Sequence, residues 1–148
     1  MPVLLHDPAV RDSIRARVQK LTPSATRAWG KMSVSQMLWH VNEAMEGALG
    51  LVAEAPEKVP LPRPLLKFIV LNLPWPKGAR TRRRWVPQKD RYDFADERDR
   101  CLSLVDALTS KALGDRWPDS PTMGRMSGEE VSRLHAKHLN HHLTQFGV

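Results

Sequence analysis

A single cysteine, Cys101, is all the thiol the 148-residue chain has. One thiol cannot close an intramolecular disulfide, which excludes a secreted disulfide scaffold and fits a reducing, cytoplasmic setting. Long apolar runs are missing as well. The longest, Leu65 to Leu73, is interrupted by Lys67 and Asn72 and bounded by Pro64 and Pro74. It falls far short of the roughly 20 residues that a membrane-spanning helix needs, so no membrane partner is expected. The first ten residues carry His6 and Asp7 and lack the apolar centre of a signal peptide. No apolar/polar alternation of the strand type runs through the chain, and neither an internal repeat nor a low-complexity tract is present.

What is there suits one soluble globular domain over residues 1–148: 41% hydrophobic and 26% charged residues. The formal net charge of +7 is unevenly placed. Between Lys77 and Arg91 stand Lys77, Arg80, Arg82, Arg83, Arg84, Lys89 and Arg91 against one acid, Asp90. The rest of the chain is close to neutral, so the basicity belongs to one segment.

Four stretches have helical periodicity. Pro8 to Lys20 places Val10, Ile14 and Val18 on one stripe, closed by Leu21. The second starts at Ser33, whose partner Gln36 completes a capping box. It aligns Val34, Met37, Leu38, Val41, Met45 and Ala48 and stops at Gly50. The third runs from about Ala95 to Leu113, with Cys101, Leu104, Val105, Leu108 and Ala112 facing one way and Gly114 as terminator. The fourth opens on the capping box Ser127/Glu130, continues through Val131, Leu134, Leu139, Leu143 and Phe146, and stops at Gly147. Between the second and third lies a proline-rich stretch in which Leu65 to Leu71 has the makings of a short helix. The expected fold is all-α, a four-helix bundle with a long irregular crossover between helices two and three.

The fourth helix carries His135, His138, His141 and His142. On a helical wheel His135, His138 and His142 lie within its apolar stripe and His141 at the edge. Three clustered imidazoles on a core-facing surface need a shared partner, since each unsatisfied buried polar group costs about 1–3 kcal/mol. A divalent metal is one such partner, and zinc, nickel, iron and manganese all accept neutral imidazole nitrogen. His138 and His142, four residues apart, have the spacing by which a helix offers two ligands to one ion; the three-residue spacings His135–His138 and His138–His141 can do the same. On the second helix His40 flanks the apolar face and is the strongest source of a third ligand. His6 sits in an N-terminal arm and is set aside, and Cys101 reads as core.

The run Trp29-Gly30-Lys31-Met32-Ser33-Val34-Ser35-Gln36-Met37, followed by His40, resembles the start of the second helix in the DinB/YfiT-like metalloenzymes. It is most similar to a bacterial subgroup known only as a domain of unknown function. His138-Leu139-Asn140-His141-His142-Leu143-Thr144-Gln145-Phe146-Gly147 resembles that subgroup's closing helix. The resemblance implies a four-helix bundle with a three-histidine metal site, mapped here to His40, His138 and His142. It also implies a small-molecule substrate and, by likeness to metal-dependent transferases of bacillithiol or mycothiol and to a thiol-dependent isomerase, a low-molecular-weight thiol. Many relatives follow the last ligand with Arg-Gly-Gln, where this chain has Leu143-Thr144-Gln145.

Three ligands from one side leave positions open on an ion, the arrangement of a catalytic site. Glu43, one turn after His40, is a candidate base or partner of that ligand. Gln145, one turn after His142, is a candidate to orient a ligand or hold water. The expected activity is metal-dependent transfer to a thiol, with a metal-dependent hydrolase or a non-catalytic metal-binding module as alternatives. Arg82 and Arg84 are candidates to hold an anionic, carboxylate-bearing cofactor. Mixed with Trp75, Trp85 and Tyr92, the Lys77–Arg91 segment also suits nucleic acid, but no nucleic-acid motif accompanies it; alternatively Trp85 anchors the loop to the bundle. Trp39, at the outer edge of its helix, leaves room for a homodimer.

Overall fold

Asp7 starts the first helix: its carboxylate accepts the Ala9 amide at 2.8 Å and Pro8 takes the first helical position, where a missing N–H costs nothing. The computed structural model describes residues 1–79 and 81–148; Arg80 of the basic segment lies outside them. Five α-helices follow in order: α1 (Pro8–Lys20), α2 (Val34–Leu49), α3 (Arg63–Asn72), α4 (Phe94–Ser110) and α5 (Gly128–Gln145). Among the described residues one 3-10 turn (Arg83–Trp85) lies between α3 and α4. The described residues contain no strand, and the chain is all-α.

Both capping boxes form. The Ser33 hydroxyl accepts the Gln36 amide while the Gln36 side chain accepts the Ser33 amide, and Ser127 and Glu130 do the same on α5. Each such cap is worth about 1 kcal/mol. Gly50 closes α2 in the left-handed region at φ +72°, a conformation that disfavours any side chain.

α1 packs on α4 and α5, and α2 packs on the same two helices, so the four longer helices enclose one core. Ile14 and Val18 come from α1, Met37, Leu38, Val41 and Met45 from α2, Cys101, Val105 and Leu108 from α4, and Leu139 and Leu143 from α5. α3 is different: it lies against α5 and has no fully buried residue. The long crossover thus contains a helix, three residues longer than the apolar run Leu65–Leu71, and a 3-10 turn. Among the described residues no helix is long and apolar enough to cross a membrane.

α4 starts one residue before the expected Ala95 and ends three before the expected Leu113. In its last turn Thr109 donates to the Val105 carbonyl at 2.8 Å and Ser110 to the Asp106 carbonyl at 2.7 Å, hydroxyl bonds that slightly weaken a helix. Lys111 is extended, and its carbonyl is bonded at 2.8 Å to Nε2 of His6. Nδ1 of the same ring lies 2.8 Å from the Ser132 hydroxyl, and the ring edge meets Trp117, itself 2% exposed. His6 is therefore a latch that ties the arm to the end of α4 and the start of α5.

Cys101 is fully buried, and burial, aided by the charge of Glu97, pushes its thiol up to about 12. The native protein should resist an aromatic disulfide reagent at pH 8 and take up one equivalent once unfolded in guanidinium. Rapid labelling of the native chain would contradict this packing.

Candidate metal centre

His40 replaces an aliphatic residue on α2's core stripe, three residues after Met37 and next to Val41, and is 3% exposed. His138 and His142 occupy equivalent places on α5 among Leu139 and Leu143, each 8% exposed. Because α2 packs on α5, the three rings meet. Their centroids are each 4.8 Å from the other two, and one ligand nitrogen from each lies within 4.8 Å of the others. The two Nε2 atoms of His40 and His138 are 2.9 Å apart.

The outer hydrogen bonds decide which nitrogens are free. Nδ1 of His40 lies 3.0 Å from the Trp85 carbonyl, an acceptor only, so Nδ1 carries the hydrogen and Nε2 presents its lone pair. For His142 the reasoning takes one more step. The Gln145 amide donates through Nε2 to the Trp29 carbonyl at 2.8 Å, which turns its oxygen towards Nδ1 of His142 at 2.7 Å. That nitrogen is then the donor, and Nε2 is again free.

Protonation would spoil the arrangement, and burial prevents it. His138 is held well below the ordinary imidazole value by desolvation and then by the neighbouring rings of His142 and His40. His142 is lowered to about 3 and His40 is lowered too, desolvation leading in both. At neutral pH the cluster is three uncharged imidazoles in close contact: the hydrogens of His40 and His142 sit on Nδ1, and the bare Nε2 of His40 accepts from the Nε2–H of His138 at 2.9 Å. That donor set fits one divalent cation, with further positions left for another ligand.

The remaining candidates fall elsewhere. Glu43 is not part of the three-histidine group: its carboxylate takes Arg100 at 2.8 Å and Arg84 at 3.8 Å. Arg82 is bound by Glu54 at 2.9 Å and by Glu57 at 2.6 Å, while its guanidinium covers the Trp85 ring at 4.3 Å. Arg84 reaches Glu54 and Glu43 at 3.8 Å. Two cations of the basic segment are thus engaged within the chain, and Trp85 sits beside the cluster, stacked over His138 at 6.4 Å. Trp39 stacks on Tyr92 at 5.2 Å. His135 is buried at 3% with Nδ1 unpartnered, and it lies outside the three-histidine group. His141 is half-buried and touches the rings of His142, Trp29 and Trp75.

Sequence reasoning missed Trp29 and Trp85 as the carriers of the two orienting carbonyls. Backbone acceptors leave no mark in residue identity. The one available sign was Gly30, at φ +82°, where an added Cβ would come within 2.7 Å of the Gln145 amide nitrogen.

A family model described as the DinB superfamily matches residues 8–146. No curated protein and no solved structure matches the chain.

Two outcomes follow from this geometry. Gly30→Ala puts a side chain into the left-handed region and against Gln145, and should lower the unfolding free energy by about 1–2 kcal/mol in a urea titration. His135, lowered to about 4 by burial, is neutral when folded and binds a proton near pH 6.5 when unfolded. Its stabilisation is complete above pH 6.5 and is lost as pH falls towards 4. His135→Leu should therefore lose less stability than wild type between pH 7 and pH 4, by up to about 3 kcal/mol. Equal losses would contradict the assignment.

Proposed function

The chain belongs to the DinB superfamily, and from that membership we propose that it is a metal-dependent enzyme, using one divalent cation and a low-molecular-weight thiol as co-substrate. The observation that carries the reading is the convergence of three buried, neutral imidazoles from α2 and α5. A purely structural role accounts poorly for it, because apolar side chains would fill the same space without desolvating three rings.

In this reading His40, His138 and His142 hold the ion. Zinc, nickel, iron and manganese all suit three imidazole nitrogens. When bound, the ion supplies Lewis acidity to a coordinating thiol or carbonyl group. Gln145 is a positioning residue: its amide, set by the Trp29 carbonyl, keeps Nδ1 of His142 protonated and Nε2 free. Trp85 does the same for His40 through its backbone and shields His138 with its ring. Arg82 and Arg84 act through Glu54 and Glu57 to hold the Trp85 segment, and Glu43 anchors Arg100.

The test is elemental analysis of protein purified without a histidine tag. Wild type should carry close to one transition metal per chain, and His138→Ala or His142→Ala should carry almost none. Added zinc or nickel should raise the melting temperature of wild type by several degrees and leave both variants unmoved, since only a ligand that binds the folded state stabilises it. Metal-free wild type with no thermal response would overturn the reading. Metal-loaded protein should conjugate one member of a panel of cysteine-derived thiols to an electrophilic bimane. Inertness across the panel would remove the thiol step and leave the metal site standing.

A further inference from the structure

Next to the imidazole cluster, and separate from it, an open cavity of about 230 Å³ is lined by Trp29, Trp75, Lys137, Asn140, His141 and Thr144. Its aromatic parts are held in place by packing. The rings of Trp29 and Trp75 each meet His141 edge-on at 5.6 Å, and Trp75 also lies 5.8 Å from His138. The indole N–H of Trp75 is already bonded to the Val70 carbonyl at 2.8 Å, so that ring offers the cavity only its apolar surface.

Beside the His141 ring, the polar lining groups of Lys137, Asn140 and Thr144 share one character: each has a donor to offer. Arg17 donates to the Asn140 side-chain oxygen at 2.8 Å and to the Thr144 hydroxyl oxygen at 3.2 Å. A guanidinium accepts nothing, so Asn140 must turn its oxygen to Arg17, which leaves its NH2 unspent, and Thr144 keeps its O–H. Lys137 lies 5.0 Å above the Trp75 ring and spends two of its three N–H groups on the Val70 and Leu73 carbonyls. The third is free. Among the described residues no carboxylate lines the cavity.

We propose that this cavity is a binding site for a small planar aromatic carboxylate, with the ring between Trp29 and Trp75 and the carboxylate at Lys137, Asn140 and Thr144. Its volume, about that of eight liquid waters, suits one or two fused rings. As the site of the enzyme's second substrate this assignment rests on the metal-dependent reading; as a binding site it does not, because none of its walls is one of the three imidazoles that would hold the ion.

Calorimetric titration of the tag-free protein with 2-naphthoate, 2-naphthamide and cyclohexanecarboxylate tests it, with metal content measured on the same sample. 2-Naphthoate should bind, and the neutral amide and the saturated acid should each bind at least tenfold more weakly. Asn140→Asp keeps the contact to Arg17 on an exposed residue and puts a negative charge at the mouth. It should weaken 2-naphthoate at least tenfold with no change in melting temperature. Trp75→Leu should also weaken 2-naphthoate at least tenfold, and should reduce the quenching of tryptophan fluorescence by the ligand. No binding of 2-naphthoate, equal binding of the amide, or undiminished binding by Asn140→Asp would each overturn the assignment. Binding by a sample that carries no metal would uphold the cavity and count against the metal site; a metal-loaded sample that binds none of the three would do the reverse.

Discussion

Two backbone carbonyls, those of Trp85 and Trp29, govern the centre. An imidazole buried among aliphatic side chains can place its hydrogen on either nitrogen, and only one choice leaves a lone pair for a shared ligand. The Trp85 carbonyl makes that choice for His40 directly, and the Trp29 carbonyl makes it for His142 through the Gln145 amide. Both are set by main chain outside the regular helices. The positions of those two segments therefore matter to the site as much as the helices that carry the rings.

Each segment has its own fastening. The Trp29 segment is tied to the end of α5, where the Ala28 amide donates to the Gln145 carbonyl at 2.8 Å, and the absent side chain at Gly30 lets the Gln145 amide approach. The Trp85 segment is fixed by charge. Arg82 is gripped by Glu54 and Glu57 and lies over the Trp85 ring. With the Arg82 side chain 12% exposed and the Glu54 side chain 8%, removing either partner would leave a poorly solvated charge. A second network, Arg100 with Glu43, Glu46 and Glu97, joins α2 to α4 behind His40's helix. Part of the strong local basicity of the crossover is thus consumed inside the molecule, where it holds a loop over the three-histidine cluster.

The helical framework was legible from residue order because its determinants are local. Apolar stripes and capping boxes marked α1, α2 and α5 to within a residue or two, and Gly50 and Gly147 marked two of the stops. The end of α4 was not legible: Gly114 looked like the terminator, but the chain turns extended at Lys111, whose carbonyl is held by His6 from the far N-terminal arm. His138 and His142 stood out by spacing, and His40 by its place on α2. Arg82, Arg84 and Glu43 were visible as charges, but their partners Glu54, Glu57 and Arg100 lie 25 to 57 residues away in sequence, and pairing at that distance has no periodic trace. The orienting carbonyls were invisible for a simpler reason: every residue has one.

The claim on which the centre depends is that His40 and His142 are neutral and carry their hydrogen on Nδ1, the less common tautomer of a free imidazole in water. Long-range proton–nitrogen correlation spectra of uniformly nitrogen-15-labelled, metal-free protein at pH 7 read this directly. Both rings should show a protonated-type Nδ1 shift and an imine-type Nε2 shift. Spectra that place the hydrogen on Nε2 in either ring, or that show both nitrogens protonated, would contradict the account.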